Sequence, residues 1–188
     1  MRKMAMNREE IVAAAIQRLN RVPTSSMAEL AEAVGVSRAT LHRHFSTREE
    51  LLTELANRSL DSWEQAIEAA GVAAATASGD AEQIRRTLED LLSRHLVYAE
   101  EHGFALSEHV MVVDPHLERR IDELEEREIE LFAAGQRAGV IRADLPARWV
   151  SSVVYGLLVA ARQSILRGDV ARRDLPRIVI ETLYRGIS

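Results

Sequence analysis

The sequence of 188 residues contains no cysteine, which excludes a disulfide framework and any thiol chemistry. Proline occurs only four times, and aromatic residues make up 4% of the chain, so a core must be built from aliphatic side chains. No long alternation of Val, Ile and Thr predicts a β-strand. Apolar residues account for 47% of the chain, which is enough for the cores of one or two small domains. These features predict an all-α protein.

Long hydrophobic runs are also missing. Residues 4–19 carry four charged side chains and do not resemble a secretory signal. The longest uncharged run near the C-terminus, residues 149–161, is shorter than the about 20 residues that a membrane-spanning helix needs. We therefore expect no membrane partner and a cytoplasmic protein.

No catalytic motif is present: there is no Gly-rich phosphate loop after a strand, no H-E-x-x-H and no G-x-S-x-G. His95, His102, His109 and His116 recur every seven residues. On one helix this spacing separates neighbours by about 10.5 Å, too far for a shared metal ion. We expect no enzyme, no cofactor and no metal site. A small helical-bundle enzyme that uses these histidines is kept as one alternative.

Charge is unevenly distributed along the chain, whose formal net charge is −5. Residues 1–60 hold 9 basic and 7 acidic residues, whereas residues 61–188 hold 15 and 22. The N-terminal part is thus mildly basic and can approach a polyanion. The acidic remainder should repel DNA away from a reading surface.

Residues 25–46 show the most informative pattern, two short helices joined by a tight turn. Ser26 and Glu29 form a capping box at the start of the first helix. Gly35 can take the left-handed conformation that ends this helix. Both signals are local, so they fix where the first helix begins and ends.

The second helix starts after Ser37, and its only large apolar residues are Leu41 and Phe45, four apart on one face. Its other faces carry the polar side chains Arg38, Thr40, His42, Arg43 and His44. A helix that is buried along one side and offers donors on the other is typical of a helix–turn–helix that enters a DNA groove.

The flanks extend this pattern. An amphipathic helix from about Asn7 precedes it, and Ser46 with Glu49 predicts another capping box before Leu51. The arrangement over residues 7–55 resembles the N-terminal domain of the TetR family of one-component transcriptional repressors.

The most specific part of the resemblance covers residues 31–52: Ala-x-x-x-Gly-Val-Ser, Thr-Leu, His-Phe and a basic residue before Leu51. His42 stands where the family most often has Tyr, and Arg48 where it most often has Lys. Both replacements can still donate to a phosphate. The pattern and the resemblance predict DNA contacts from Ser26, Met27, Ser37, Arg38, Ala39, Thr40, His42, Arg43, His44 and Arg48.

The resulting fold is all-α, with about nine helices. Residues 1–55 form an N-terminal three-helix helix–turn–helix domain, and residues 56–188 form a C-terminal helical domain for effector binding and dimerisation. A fourth helix, about 47–70, links the two. We expect a flexible loop at residues 71–79, because they are small and uncharged, and a solvated face for the glutamate-rich run of residues 118–130.

Several polar groups of the second part stand inside apolar stretches, and as a set they favour a ligand cavity, with an ordinary core of satisfied polar groups as the alternative. The resemblance implies a small-molecule effector there, mainly apolar with one or two polar groups. The candidate lining is Trp63, Leu91, His95, Tyr98, Phe104, Leu106, His109, Met111, Tyr155 and Gln163.

The two C-terminal helices, 146–167 and 175–187, are apolar enough to need burial on more than one side. Gly156 and Ala160 would let a second copy approach closely. We expect a homodimer through an isologous four-helix bundle, with a monomer core as the alternative.

The predicted function is a sequence-specific repressor that binds a palindromic double-stranded DNA operator and is released by its effector. A small-molecule-binding or carrier protein with a degenerate helix–turn–helix is the rival.

Overall fold

Nine α-helices and no strand occur in residues 6–106 and 114–187, the part of the chain that the computed structural model describes. This confirms the all-α prediction. In chain order the helices are α1 Arg8–Arg21, α2 Met27–Val34, α3 Arg38–His44, α4 Arg48–Ala69, α5 Val72–Ser78, α6 Ala81–Glu101, α7 Pro115–Arg137, α8 Ala147–Arg167 and α9 Leu175–Ile187. Two 3₁₀ turns, Gly103–Leu106 and Arg172–Asp174, precede α7 and α9.

The chain divides into two compact units, as far as it is described. Unit 1 comprises Met1–Leu60 and Glu101–Glu118, and unit 2 comprises Asp61–Glu100 and Arg119–Ser188. Helices α4, α6 and α7 each contribute residues to both units. The first part of unit 1 ends at Leu60, a few residues after the boundary expected at residue 55. Unit 1 also includes the later segment Glu101–Glu118, which the sequence analysis placed in the second domain.

Unit 1 is built on helices whose starts are capped by their own side chains. Asn7 and Glu10 form a capping box at α1, and Ser26 and Glu29 form one at α2. The box expected from Ser46 and Glu49 is wrong by one residue. The Glu50 amide donates to Thr47 Oγ1 at 3.0 Å instead, and α4 begins one residue later. Aliphatic residues of α1 to α4 form the core, together with Phe45 and Phe104: Ile11, Val12, Leu19, Leu30, Leu41, Leu51 and Leu55.

Unit 2 contains the end of α4, helices α5, α8 and α9, and most of α6 and α7. The expected flexible loop is wrong, because α5 occupies all of it except the glycines at its ends. Gly71 and Gly79 take the left-handed conformation, at φ 73° and 65°, and so bracket an alanine-rich helix. Asp80 caps α6 as expected, accepting from the Gln83 amide at 2.7 Å.

Helix α8 is long and apolar, and it is little buried. Over its most apolar 18 residues the mean hydropathy is 1.3, and 22% of that window is buried. By length and composition alone the helix could cross a membrane, contrary to the expectation from the uncharged run at residues 149–161. A single helix of this kind is weak evidence for a span, because helices of soluble proteins pass the same test. Helix α8 therefore leaves apolar surface uncovered in a single chain.

Candidate DNA-reading surface and effector cavity

Helices α2 and α3 meet at a turn that the sequence sets residue by residue. Ser26 Oγ accepts from the Glu29 amide at 3.3 Å, while the Glu29 carboxylate accepts from the Ser26 amide at 2.8 Å. Gly35 ends α2 in the left-handed conformation, at φ 81°. Ser37 Oγ then accepts from the Thr40 amide at 3.0 Å and starts α3. The turn is therefore capped on both sides.

Helix α3 is held by Leu41 and the residue after its end, Phe45, both fully buried. The opposite side is open to solvent, with Arg38, Ala39, His42 and Arg43 exposed, while Thr40 and His44 are half-buried at its edge. Ser26 and Ser37 are exposed and Met27 is half-buried at the start of α2. None of these residues expected to contact DNA is buried, so all of them are accessible to a partner.

Arg48 differs from this set, because its guanidinium holds the loop before α2. Its Nε donates to the Ser25 carbonyl at 3.2 Å and its Nη2 to the Pro23 carbonyl at 3.1 Å. Arg18 supports the same loop through Nε, which donates to Ser25 Oγ at 3.0 Å. Arg48 therefore has a structural role in positioning α2, which sequence spacing does not reveal.

A second long-range tie joins α1 to the end of α6 within unit 1. Asn20 Nδ2 donates to the Glu101 carbonyl at 2.7 Å, and Asn20 Oδ1 accepts from the Phe104 amide at 2.9 Å. The Phe104 ring is fully buried in the core of unit 1. Asn20 of α1 thereby holds both the final residue of α6 and the 3₁₀ turn that carries Phe104, all within unit 1.

Unit 2 contains a small cavity with room for about one water molecule. Helices α6 to α9 supply a lining that is apolar apart from three residues: Leu88, Leu91, Leu92, His95, Glu128, Phe132, Val154, Leu183, Tyr184 and Ile187.

His95 and Glu128 form a buried pair at this cavity, each only 4% exposed. His95 Nε2 lies 2.9 Å from Glu128 Oε1, and His95 Nδ1 lies 2.8 Å from the Leu91 carbonyl oxygen. Trp63 Nε1 also donates to Glu128 Oε1, at 2.5 Å. Burial disfavours the charged imidazole, but the attraction and hydrogen bond of Glu128 outweigh burial and raise the pKa of His95 above its ordinary value.

Comparison with known proteins agrees with this architecture. Residues 11–55 match the model of the family described as bacterial regulatory proteins, tetR family. The chain is 32% identical over 172 residues to the HTH-type transcriptional regulator NfxB of Pseudomonas aeruginosa, covering 88% of this chain and 86% of that protein. The chain belongs to the TetR family. The helix–turn–helix resemblance is confirmed, and the protein is a DNA-binding transcriptional regulator.

A second relative of this TetR-family chain is the HTH-type transcriptional repressor LfrR of Mycolicibacterium smegmatis, 29% identical over 181 residues, or 96% of this chain and 89% of that protein. The crystal structure of LfrR in complex with proflavine superposes with a TM-score of 0.74 at 25% identity and covers 96% of both chains. TetR-family regulators bind DNA operators and small-molecule effectors, so both kinds of site belong to this fold.

The residues expected to contact the effector do not all meet at the cavity. Leu91 and His95 line it, and Trp63 joins it through Glu128. Tyr98 is buried on α6 but is not among the lining residues. Phe104 and Leu106 lie in the 3₁₀ turn of unit 1, outside the cavity, because Asn20 and the unit 1 core hold that turn. His109 and Met111 lie outside the described residues.

Tyr155 and Gln163 are exposed on α8 rather than directed into the cavity of the TetR-family chain. Tyr155 is 52% exposed, and two further large apolar residues lie on the same side of α8: Trp149, 56% exposed, and Leu166, 57% exposed. Gly156 belongs to the same side, and an added Cβ there would meet no atom within 4 Å. The exposed side of α8 is therefore an apolar strip with a small residue near its middle.

Glu128 escapes sequence reasoning because it lies in the glutamate-rich run that is expected to be solvated. That expectation is wrong for this residue, although Glu118, Glu123, Glu126 and Glu130 are exposed. The available signal is position: Glu128 stands four residues after Leu124 and three before Leu131, on the apolar stripe of α7. A carboxylate on such a stripe is either buried with a partner or functional.

Proposed function

We propose that the chain acts as a homodimeric repressor that reads a palindromic operator through α2 and α3. A small, mainly apolar effector binds within unit 2 and releases the operator. The observation that carries the proposal is helix α3, whose one buried edge leaves Arg38, His42 and Arg43 exposed on a family-typical helix–turn–helix.

The DNA contacts sort into two kinds. Arg38, Thr40, Arg43 and His44 lie off the Leu41–Phe45 edge and are assigned to base edges in the major groove. Ser26 and Ser37 stand at helix N-termini, where backbone amides attract phosphates, and Met27 and Ala39 lie within two residues of them. His42 is exposed in the last turn of α3 and is assigned to a phosphate as well. Arg48 is assigned to the phosphate backbone, because its positive charge stands at the start of α4, directly after the helix–turn–helix.

The exposed strip of α8 supports dimerisation. Trp149, Tyr155 and Leu166 together would leave a large apolar patch in water, which monomeric proteins rarely do. Pairing α8 and α9 with their copies would cover it in an isologous four-helix bundle. In that arrangement Tyr155 and Gln163 are interface residues. The two helix–turn–helix domains of the dimer would then bind the two half-sites of a palindromic operator.

The decisive experiment is selection of bound sequences from a random double-stranded DNA pool, followed by measurement of affinity and mass of the complex. We expect a palindromic consensus bound by a dimer, with half-sites separated by about 34 Å or a multiple of it. A protein with a degenerate helix–turn–helix would enrich no sequence and would not be retained on heparin or random duplex. Either result separates a regulator from a carrier protein.

Effector binding is tested separately from DNA binding. Thermal-shift screening would identify stabilising compounds, and hits would be tested for operator release. Leu91→Trp should block the small cavity and abolish the response while leaving DNA affinity intact, and its thermal unfolding shows whether the chain still folds. Val97→Trp, on an exposed position of the same helix, is the matched control. A normal response in Leu91→Trp would place the effector elsewhere.

Catalysis has no support in this chain. Its relatives are transcriptional regulators, and no group of three His, Asp or Glu side chains within residues 6–106 and 114–187 is placed to hold a metal ion. We infer a non-enzymatic protein of the cytoplasm, where the operator DNA is found.

A further inference from the structure

His42 lies in the last turn of α3, and one of its two ring nitrogens is committed to the backbone. The side chain is exposed, and its Nδ1 lies 3.3 Å from the Ser46 carbonyl oxygen. A carbonyl oxygen can only accept a hydrogen bond, so Nδ1 carries a proton whenever this contact is made. In the neutral ring the other nitrogen, Nε2, then has no proton. The backbone contact therefore sets the tautomer and leaves Nε2 for a partner.

Nε2 of His42 is an acceptor in the neutral ring and becomes a donor only when the ring is charged. No group within residues 6–106 and 114–187 hydrogen-bonds to this nitrogen, which is exposed to partners from outside the chain. The oxygens of a DNA phosphate are negatively charged and can only accept. A neutral His42 would set the Nε2 lone pair against such an oxygen. The imidazolium would instead supply an N–H donor and a positive charge, which together make a strong hydrogen bond.

The position of His42 on α3 suits the DNA backbone rather than a base edge. Successive residues of an α-helix are turned by about 100°. Arg43 is therefore opposite the buried Leu41–Phe45 edge, whereas His42 stands about 80° from that edge, at the flank of the helix. When the side opposite the buried edge enters the major groove, the flanks of the helix face the strands that border the groove.

We propose that His42 contacts the DNA backbone only as the imidazolium, so that each protomer takes up a proton at His42 when it binds its operator. This inference rests on the proposed function, in which α2 and α3 read the operator and His42 meets a phosphate. The proton comes from the solvent and adds to Nε2, while the Nδ1–H bond to Ser46 stays. The phosphate then accepts from Nε2–H. Operator affinity thus falls as the pH rises through the range in which histidine loses its charge.

The charged groups around α3 leave histidine as the residue type that titrates there near neutral pH. Arg38 precedes His42 by one turn, Arg43 follows it directly, and the Glu50 carboxylate of α4 accepts from the Ser46 amide at 2.7 Å. Helices α1, α2 and α4 contain no histidine. Further charged side chains of these neighbouring helices are Arg8, which lies over the Phe45 ring, Glu29 and Glu32 of α2, and Arg48 and Glu49 of α4. Carboxylates and guanidinium groups ordinarily keep their charge near neutral pH.

The test must distinguish His42 from other histidines of unit 1. His44 is half-buried at the end of α3 and is assigned to a base edge. His102 follows α6, and burial lowers its pKa, which favours its neutral ring. A base contact acts at one operator position, whereas a phosphate contact carries no sequence information. The pH dependence caused by His42 should therefore be the same for operators that differ by one base pair.

The experiment measures operator affinity at fixed ionic strength over about pH 6 to 8, with an operator obtained by the selection described above. Wild-type affinity should be at least about tenfold weaker at the upper pH, since a dimer takes up as many as two protons. Calorimetric titration near pH 7.5 in two buffers of different ionisation enthalpy should count about one to two protons taken up per dimer. Single-base variants of the operator should show the same pH dependence.

Two variants assign the proton to one histidine. His42→Tyr removes the need for a proton, because a phenol hydroxyl donates without charge at both pH values. We expect this variant to lose the pH dependence and to bind more tightly than the wild type at the upper pH. His44→Gln is the matched control on the same helix, and it should keep the pH dependence whatever it does to the affinity itself. If a variant does not fold, nitrogen NMR of the wild type decides: His42 should carry a proton on Nδ1 alone in the free chain at the upper pH and on both nitrogens in the complex.

Three results would overturn the inference: equal wild-type affinity at both pH values, a pH dependence that persists in His42→Tyr, or a neutral His42 ring in the operator complex. In each of these cases the operator is still bound, so only the role of His42 is refuted. A chain that enriches no operator at either pH refutes the proposed function, and the inference fails with it.

Discussion

Arg48 gives the sharpest prediction, because the structure assigns it to a loop and the sequence pattern assigns it to a phosphate. Its guanidinium donates to the Ser25 and Pro23 carbonyls at 3.2 and 3.1 Å, and these two contacts join the start of α4 to the loop before α2. Removal of the side chain in Arg48→Ala should therefore affect stability and DNA affinity together.

The size of the stability effect can be estimated from the two bonds. Hydrogen bonds from charged donors contribute about 1.5–3 kcal/mol each when well desolvated. Arg48 is half-buried and both contacts are long, so about 1 kcal/mol per bond is the better figure. A loss of about 2 kcal/mol lowers Tm by about 4–8 °C in a chain of this length.

Arg48→Lys separates the two roles, because lysine keeps the charge but cannot donate to both carbonyls in the same geometry. We expect both variants to lose about the same Tm. In DNA titrations over a salt series, Arg48→Ala should flatten the slope by about two for a dimer, while Arg48→Lys keeps it. An unchanged Tm in Arg48→Ala would show that the loop contacts carry no stability. An unchanged salt slope would remove Arg48 from the DNA contacts.

Four further predictions concern other parts of the chain. Arg43→Ala should relax base preference at one symmetric pair of operator positions by about 1–3 kcal/mol, and a uniform loss over all sequences would make it a phosphate contact. Tyr155→Glu, on the exposed strip of α8, should give folded monomers by light scattering and abolish operator binding, and a persistent dimer would exclude this interface. Asn20→Ala removes two hydrogen bonds of about 0.5–1.5 kcal/mol each, and should leave DNA and effector affinities intact while weakening effector-driven release. His95→Gln should lose Tm below pH 6.5, and the gap to the wild type should close as pH rises. The pKa of His95 is higher in the folded chain than its unfolded value of about 6.5, so protonated His95 stabilises the fold below pH 6.5. This stabilisation is lost as the pH rises through the pKa of the folded chain. A difference in Tm that did not change with pH would contradict this.

The helix–turn–helix could be predicted from sequence because its signals are local. Ser26, Gly35 and Ser37 each act on backbone groups within a few residues, through capping and through the left-handed conformation. The Leu41–Phe45 edge follows from helical spacing alone, and both side chains are fully buried as expected. Residues with such short-range causes need no knowledge of the rest of the fold.

The prediction of a flexible loop at residues 71–79 fails because composition and helix propensity point to different structures there. Residues 71–79 are small and uncharged, and these properties favour a loop. Alanine is the best helix former, and the two flanking glycines supply the left-handed ends that a short helix needs. The correct interpretation is available from propensity, although α5 also depends on burial of Val72 and Ala75.

The residues around the cavity of unit 2 could be predicted only in part, because tertiary contacts decide which side chains meet there. Phe104 is 84 residues from Asn20 in sequence, and no spacing rule connects them, so its place in unit 1 could not be foreseen. The pairing of Glu128 with His95 and Trp63 is equally hidden from spacing rules, because the partners stand on different helices. One polar side chain on an otherwise apolar stripe is the visible sign at Glu128, and only packing reveals its partners.

The two ties found in the structure bear on how a signal could pass along the chain. Helix α6 carries Leu91 and His95 at the cavity of unit 2 and ends at Glu101, whose carbonyl Asn20 holds in unit 1. Helix α4 carries Trp63 at Glu128 and begins at Arg48, which holds the loop before α2. Helices α4 and α6 thus each have one end near the His95–Glu128 pair and a hydrogen bond of unit 1 at the other end. Release of an operator by an effector is a coupling between two binding sites, and such coupling is reciprocal, so operator DNA must weaken effector binding by the same factor by which the effector weakens operator binding.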